Sequence, residues 1–210
     1  MGNTKNTEEK IAIYKIDTPK KILEYYKNWA TDNNYEKDLR EWNYQAPIFS
    51  CQIFFNQDIE RKSLILDAGC GSGLVGKILK DKGYDNINGL DFSEDMLKLI
   101  PQNIYKKIYK SDLNKKLNFP DNFYDHALCI GTFTYGHVKA NAFQEFHRVL
   151  KNNSFFLFSI NEGVYSSYGF DKAIAKFEAN GNWSIISSEK KSYIEKKGIE
   201  AYYVLVQIKK

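Results

Sequence analysis

The sequence predicts an α/β protein in which a mostly parallel sheet is covered by helices on both faces. Three observations carry that prediction. From Ser63, short apolar runs alternate with helical periodicity over about 100 residues. A glycine-rich stretch falls where the first of those runs gives way to the first helical pattern. Two strand-like stretches close the chain and are joined by a short turn, which makes them antiparallel neighbours.

The elements follow in order. Thr18 is placed to cap a first helix with Pro19 at its first position, and Ile22, Leu23, Tyr26, Trp29 and Ala30 recur at helical spacing. Thr31-Asp32-Asn33-Asn34 breaks it. Leu39, Trp42, Ala46, Phe49 and Ile53 continue at spacings of three and four, and Pro47 divides this region into two helices. Leu64–Leu66 is a first strand, and Leu74, Val75, Ile78 and Leu79 form a helical face that ends near Gly83. Ile87–Leu90 is a second strand, followed by a helix capped by Ser93. Tyr105–Ser111 and Ala127–Ile130 are the third and fourth strands, and a helix runs from about Val138 to Lys151. Phe155–Phe158 is apolar on both faces, as a central strand must be. A weaker helix covers 170–179. The closing strands lie near Trp183–Tyr193 and Ala201–Ile208, with Lys197-Gly198 at the turn. Seven strands result. Residues 1–17 are expected to be a flexible tail, 18–58 a helical cover over the site, and 63–210 the sheet core.

The composition sets outer limits. A chain of 210 residues, 43% hydrophobic and 27% charged, suits one folded domain. The net charge of +4 comes from scattered lysines, so a nucleic-acid partner is not indicated. Cys51, Cys70 and Cys129 are odd in number and include no C-x-x-C pair, which argues against a disulfide scaffold or zinc site and for a reducing, cytoplasmic setting. No apolar run approaches the ~18–20 residues that span a bilayer. Met1-Gly2 invites myristoylation, but Asn6 stands where that signal needs Ser or Thr.

The glycine stretch carries the chemistry. Gly71-Ser72-Gly73-Leu74-Val75-Gly76 matches the dinucleotide pattern G-x-G-x-x-G, with Asp91 about 20 residues on. A second frame reads Asp67-x-Gly69-x-Gly71-x-Gly73. An acidic residue just ahead of the glycines suits a ligand with a positively charged amino group, whereas a pyrophosphate would face it as a second anion. Asp91 and Asp112 end the next two strands and offer acceptors for ribose hydroxyls and an adenine amino group. Three strand-end carboxylates in register with a glycine loop sit where open sheets bind ligands.

With LDAGCGSG (66–73), GLDFSEDML (89–97), SDL (111–113), FPDNFYDHALCIGTF (119–133) and EFHRVLKNNSFF (145–156), the chain resembles the class I S-adenosylmethionine-dependent methyltransferases. YYKNWATDNNYEKDL (25–39) and the later AP (46–47) look like a narrower group, the Williams–Beuren-syndrome-region methyltransferase-like proteins. The resemblance implies a Rossmann-like sheet and S-adenosylmethionine as cofactor. It places Gly69, Cys70 and Gly71 at the methionine part through their main chain and Asp67 at the loop or the amino group. Asp91 binds ribose, Phe92 and Met96 line the adenine site, Asp112 and Leu113 contact adenine, and Ile130 and Gly131 border the sulfonium. Tyr26, Trp29 and Tyr35 belong to an N-terminal lid. Two features depart from the family: Lys151-Asn152-Asn153-Ser154 replaces a Gly-Gly turn, and the spacing from Trp29-Ala30 to Tyr35 is longer than in the narrower group.

Methyl transfer from a sulfonium is an in-line displacement to which a protein contributes position and desolvation. No metal motif is evident. The acceptor segment is Gly131–His137, and it lacks the Asn/Asp-Pro-Pro-aromatic motif of amino-group methyltransferases acting on adenine or glutamine. His137 is the candidate base, and His126 and His147 read as structural. A small-molecule acceptor is expected. A protein or RNA methyltransferase, and a cofactor-binding subunit without catalysis, are the alternatives.

Overall fold

A computed structural model describes residues 11–16, 18–31 and 34–210. Seven strands form one sheet: β1 Ile65–Ala68, β2 Ile87–Asp91, β3 Lys107–Lys110, β4 His126–Phe133, β5 Phe155–Asn161, β6 Trp183–Ile194 and β7 Ile199–Ile208. Their order is β3-β2-β1-β4-β5-β7-β6. The pairs from β3 to β5 are parallel, and β7 lies antiparallel between β5 and β6. The chain reverses its winding between β1 and β4, so the carboxyl ends of β1, β2 and β4 open onto one crevice.

The helices are α1 Pro19–Ala30, α2 Asn34–Glu41, α3 Ala46–Phe55, α4 Leu74–Asp81, α5 Glu94–Leu97, α6 Ala142–Val149, α7 Glu162–Tyr165 and α8 Phe170–Ala179. Ser93 caps α5 as expected, its hydroxyl accepting the Met96 N–H. Thr18 sits at the α1 cap position, but its side chain makes no capping bond there. The core is densest around β5, where Phe156, Leu157, Phe158 and Ile160 are fully buried and Phe146 stacks on Phe156 at 4.2 Å. Asn153 adopts φ +63°, so asparagine does supply the left-handed turn before β5.

Several boundaries differ from the sequence reading. β1 starts one residue late because the Asp125 carboxylate takes the Leu64 N–H. The helix expected from 138 begins at Ala142, and the Lys139 N–H ahead of it donates to Asn114 Oδ1. The four-residue α7 was not anticipated. Residues 1–10 and 17 lie outside the described residues; 11–16, also placed in the expected tail, are packed. Ile11 and Tyr14 are buried around a 3-10 turn at Ala12–Lys15, and Asn161 Nδ2 donates to the Tyr14 hydroxyl. Nor is 18–58 one unit. α3 buries Ala46, Pro47, Ser50, Cys51 and Phe54 against α4, β4 and β5, so it belongs to the sheet's cover. Residues 42–45 are tied to the end of β6, with Gln45 N–H donating to the Tyr193 carbonyl and Lys196 N–H to the Trp42 carbonyl. Of the described residues in 18–58, those that line the crevice come from α1, α2 and the following Trp42 and Tyr44. Among the described residues no helix is long and apolar enough to cross a membrane.

His126 and His147 have packing roles. The Phe155 N–H donates to His126 Nδ1, and burial holds the imidazole down to about 4. His147 Nε2 donates to the Lys209 carbonyl.

Candidate functional site

The floor of the crevice is main chain. After β1 the chain turns through Gly69, Gly71 and Gly73, all with positive φ. The Gly69 and Cys70 N–H groups both donate to the Leu90 carbonyl, at 2.7 and 3.0 Å, which clamps the loop to β2. A Cβ on Gly69 would meet Thr132 Oγ1 at 2.0 Å, so only glycine fits. A Cβ on Gly71 would point into the open cavity, 3.6 Å from the Tyr35 hydroxyl and 3.7 Å from Met96 Cε.

Asp91 ends β2 above this loop. Its carboxylate accepts the Gly71 N–H at 2.9 Å on one oxygen and the Ser93 N–H at 2.8 Å on the other. Burial pushes its carboxyl up, and those backbone donors oppose the shift. Each oxygen keeps acceptor capacity after one bond. Beyond it Phe92, Met96, Asp112 and Leu113 line the same cavity. Asp112 also accepts the Asn114 N–H at 2.9 Å, which sets the turn after β3.

Asp67 and Cys70 do not line the cavity with their side chains. Asp67 is buried beneath the loop, where the Tyr105 hydroxyl donates to it at 2.5 Å. Burial raises its carboxyl to about 7 against the opposing hydrogen bonds from Tyr105 and the Gly76 backbone. Its bonds run to Tyr105 and the Gly76 backbone, at the start of α4. Gly76 is explained by the same contact, since a Cβ there would lie 2.3 Å from the Tyr105 ring. The G-x-G-x-x-G spacing therefore serves side-chain packing. Cys70 turns its thiol inward beside Gly89, and burial pushes that thiol up.

The roof is aromatic. Tyr26 and Trp29 on α1 and Tyr35 on α2 line the cavity from above. Trp29 meets Tyr35 edge-on at 4.7 Å, and its indole N–H donates to Asp38 at 2.8 Å. His137 lies beneath. Its Nδ1 is 2.5 Å from the Tyr135 carbonyl and its Nε2 is 3.0 Å from the Tyr26 hydroxyl. A carbonyl can only accept, so Nδ1 carries the proton and Nε2 accepts from Tyr26. Burial lowers the His137 pKa and keeps the ring neutral.

Beside β4, Ile130, Gly131, Thr134 and His137 form one wall. The Gly131 N–H donates to Ser159 Oγ at 2.9 Å, and a Cβ on Gly131 would collide with the Tyr44 hydroxyl at 2.5 Å. Sequence reasoning missed the residues packed against this wall, Tyr14, Tyr44, Tyr193 and Ile194. Tyr14 fell in the supposed tail, and Tyr193 and Ile194 in a hairpin read only for its strands. No local pattern links them to the glycine loop.

Residues 66–158 match the family model described as a methyltransferase domain. Methyltransferase-like protein 27 of Homo sapiens is 31% identical over 129 residues, which are 60% of this chain and 52% of that protein. By this match and this relative the chain is similar to the class I S-adenosylmethionine-dependent methyltransferases. The human relative also lends loose support to the narrower resemblance. A Bacillus subtilis methyltransferase-named protein, YqeM, is 26% identical over 55% of this chain and 49% of its own length. The chain spans about half the length of the curated relatives it matches. Among solved structures, a Haloferax volcanii methyltransferase in complex with its Trm112 activator has a TM-score of 0.64 at 17% identity, covering 87% of this chain and 96% of that one. An S-adenosylmethionine-dependent methyltransferase from Mesorhizobium loti has a TM-score of 0.54 at 18% identity, covering 70% and 91%. Both likenesses bear on the fold.

Proposed function

We propose that this chain binds S-adenosylmethionine in the crevice and transfers its methyl group to a small-molecule acceptor. The observation that carries the reading is Asp91, held by two backbone N–H groups directly above the three-glycine floor. Its oxygens have acceptor sites left for a ribose diol, and Gly71 leaves open the space a side chain would fill. Asp112 offers an acceptor to adenine, with Phe92, Met96 and Leu113 as apolar walls. Gly69, Gly71, Ile130 and Gly131 border the methionine and sulfonium end.

When bound, this cofactor supplies an electrophilic methyl group. The chain's residues position the acceptor, exclude water and take up a proton. Tyr26, Trp29 and Tyr35 close the cavity, which favours a small acceptor over a protein or RNA chain. α1 and α2 act as a lid, anchored through residues 42–45 and latched by Tyr26 on His137. The buried free thiols are consistent with a reducing, cytoplasmic setting.

Transfer of labelled methyl groups into metabolite, protein and RNA pools tests the reading. Label in the metabolite pool is expected. Label confined to protein or RNA would replace the acceptor class, and cofactor binding without label in any pool would favour a non-catalytic subunit. The Haloferax relative was solved with an activator, so the screen is run in cell extract as well as with the purified chain.

A further inference from the structure

The cavity separates into two chemistries. On the cofactor side stand Asp91 and Asp112; among the described residues the wall includes no Lys or Arg. On the acceptor side stand the phenols of Tyr14, Tyr44 and Tyr193, all kept un-ionised by burial, together with His137 and Tyr26. S-adenosylmethionine carries one net positive charge, from a sulfonium added to an amino-acid zwitterion, and the two carboxylates already exceed it by one negative charge. An anionic acceptor would add a buried charge with no cationic side chain to meet it. An uncharged hydroxyl needs only hydrogen bonds, which the phenols supply.

A hydroxyl acceptor must also lose a proton. Its oxygen lone pair forms the new O–CH3 bond, the electrons of the broken S–CH3 bond stay on sulfur, and the O–H proton has to leave. A methylated amine can hold that proton itself, whereas a methylated oxygen cannot. His137 is built to receive it, because its Nδ1 proton is fixed on the Tyr135 carbonyl and its Nε2 is an acceptor. The Tyr26 hydroxyl sits on that nitrogen at 3.0 Å and also lines the cavity.

We propose that the acceptor is an uncharged hydroxyl compound of phenol type, and that its proton passes to the Tyr26 oxygen as the Tyr26 proton passes to His137 Nε2. The positive charge lost from sulfur reappears on the imidazole, so the net charge of the closed cavity does not change during the step. This rests on the methyltransferase reading, and it makes Tyr26 part of the chemistry as well as the roof.

The test uses the chain saturated with S-adenosylhomocysteine. Failure to saturate undoes the cofactor reading and is registered first and separately. Phenol, benzoate and anisole are then titrated by ligand-observed NMR. Phenol is expected to bind about tenfold tighter than either, since benzoate is charged and anisole has no proton to donate. With labelled S-adenosylmethionine, Tyr26→Phe and His137→Gln are each expected to slow methylation of phenol about 100-fold. In His137→Gln the phenol dissociation constant should move by less than about threefold, a split that loss of packing alone would not give, whereas Tyr26→Phe should also lose the hydrogen bond that phenol donates. Absent phenol binding, benzoate binding as tightly as phenol, or wild-type turnover in either variant overturns the proposal.

Discussion

The floor and the roof of the crevice are built from different materials. The floor is main chain, with Gly69, Cys70 and Leu90 joined by backbone hydrogen bonds and Asp91 fixed by the N–H groups of Gly71 and Ser93. Beneath it lies the buried Asp67–Tyr105 pair. The roof is side chain, with the rings of Tyr26, Trp29 and Tyr35 on two short helices, and the Tyr26 hydroxyl on His137. A backbone floor clamped to strand ends is preorganised whether or not a ligand is present. A roof of ring contacts and isolated hydrogen bonds has a smaller barrier to opening. On the proposed reading, the cofactor site belongs to the rigid part, and acceptor access to the part that can move.

The largest effect expected concerns Asp67. Its folded pKa, raised to about 7, lies above the ordinary carboxylate value. The unfolded chain therefore gives up this proton first as pH rises. The stability the protonated form contributes is complete below pH ~4 and is lost as pH climbs through about 7, by up to ~4 kcal/mol. Asp67→Asn should flatten that dependence, as read by urea unfolding from pH 4 to 8. Equal slopes in both proteins would mean the floor is not built on a buried acid.

Gly69→Ala comes next. It places a Cβ against Thr132 Oγ1 in a left-handed backbone, and should cost about 3 kcal/mol in the same unfolding assay. An unchanged midpoint would show that the floor yields. Asp91→Ala should leave the fold intact and weaken S-adenosylhomocysteine by roughly 2–3 kcal/mol in calorimetry, as for hydrogen bonds to a charged group. An equal dissociation constant would remove Asp91 from the site. The smallest effect belongs to the roof. Tyr26→Phe removes one hydrogen bond worth ~1 kcal/mol and should speed amide exchange in α1 about fivefold while the glycine loop is unaffected. Equal exchange in α1 would mean the roof is held by packing alone.

The contrast also explains what could be read in the sequence. The floor is local: Asp67 to Gly73 are contiguous, Asp91 and Asp112 each end an apolar run, and strand–helix alternation fixes that those ends converge. The roof and acceptor wall are not local. The Tyr26–His137 bond joins residues 111 apart, and Tyr14, Tyr44 and Tyr193 meet through the placement of β6. The family resemblance marked Tyr26 and Trp29 as candidates but carried no signal for their partners. Asp67 was legible as part of the loop, but nothing near it in sequence reveals that Tyr105 takes its carboxylate from behind.

The most direct measurement is calorimetric titration of the purified chain with S-adenosylhomocysteine and, separately, with NAD. A floor shaped by Asp91 above three glycines, with Asp67 turned away beneath, predicts micromolar binding of S-adenosylhomocysteine, about 8 kcal/mol, and no comparable heat from NAD. Binding of NAD with no response to S-adenosylhomocysteine would contradict the account.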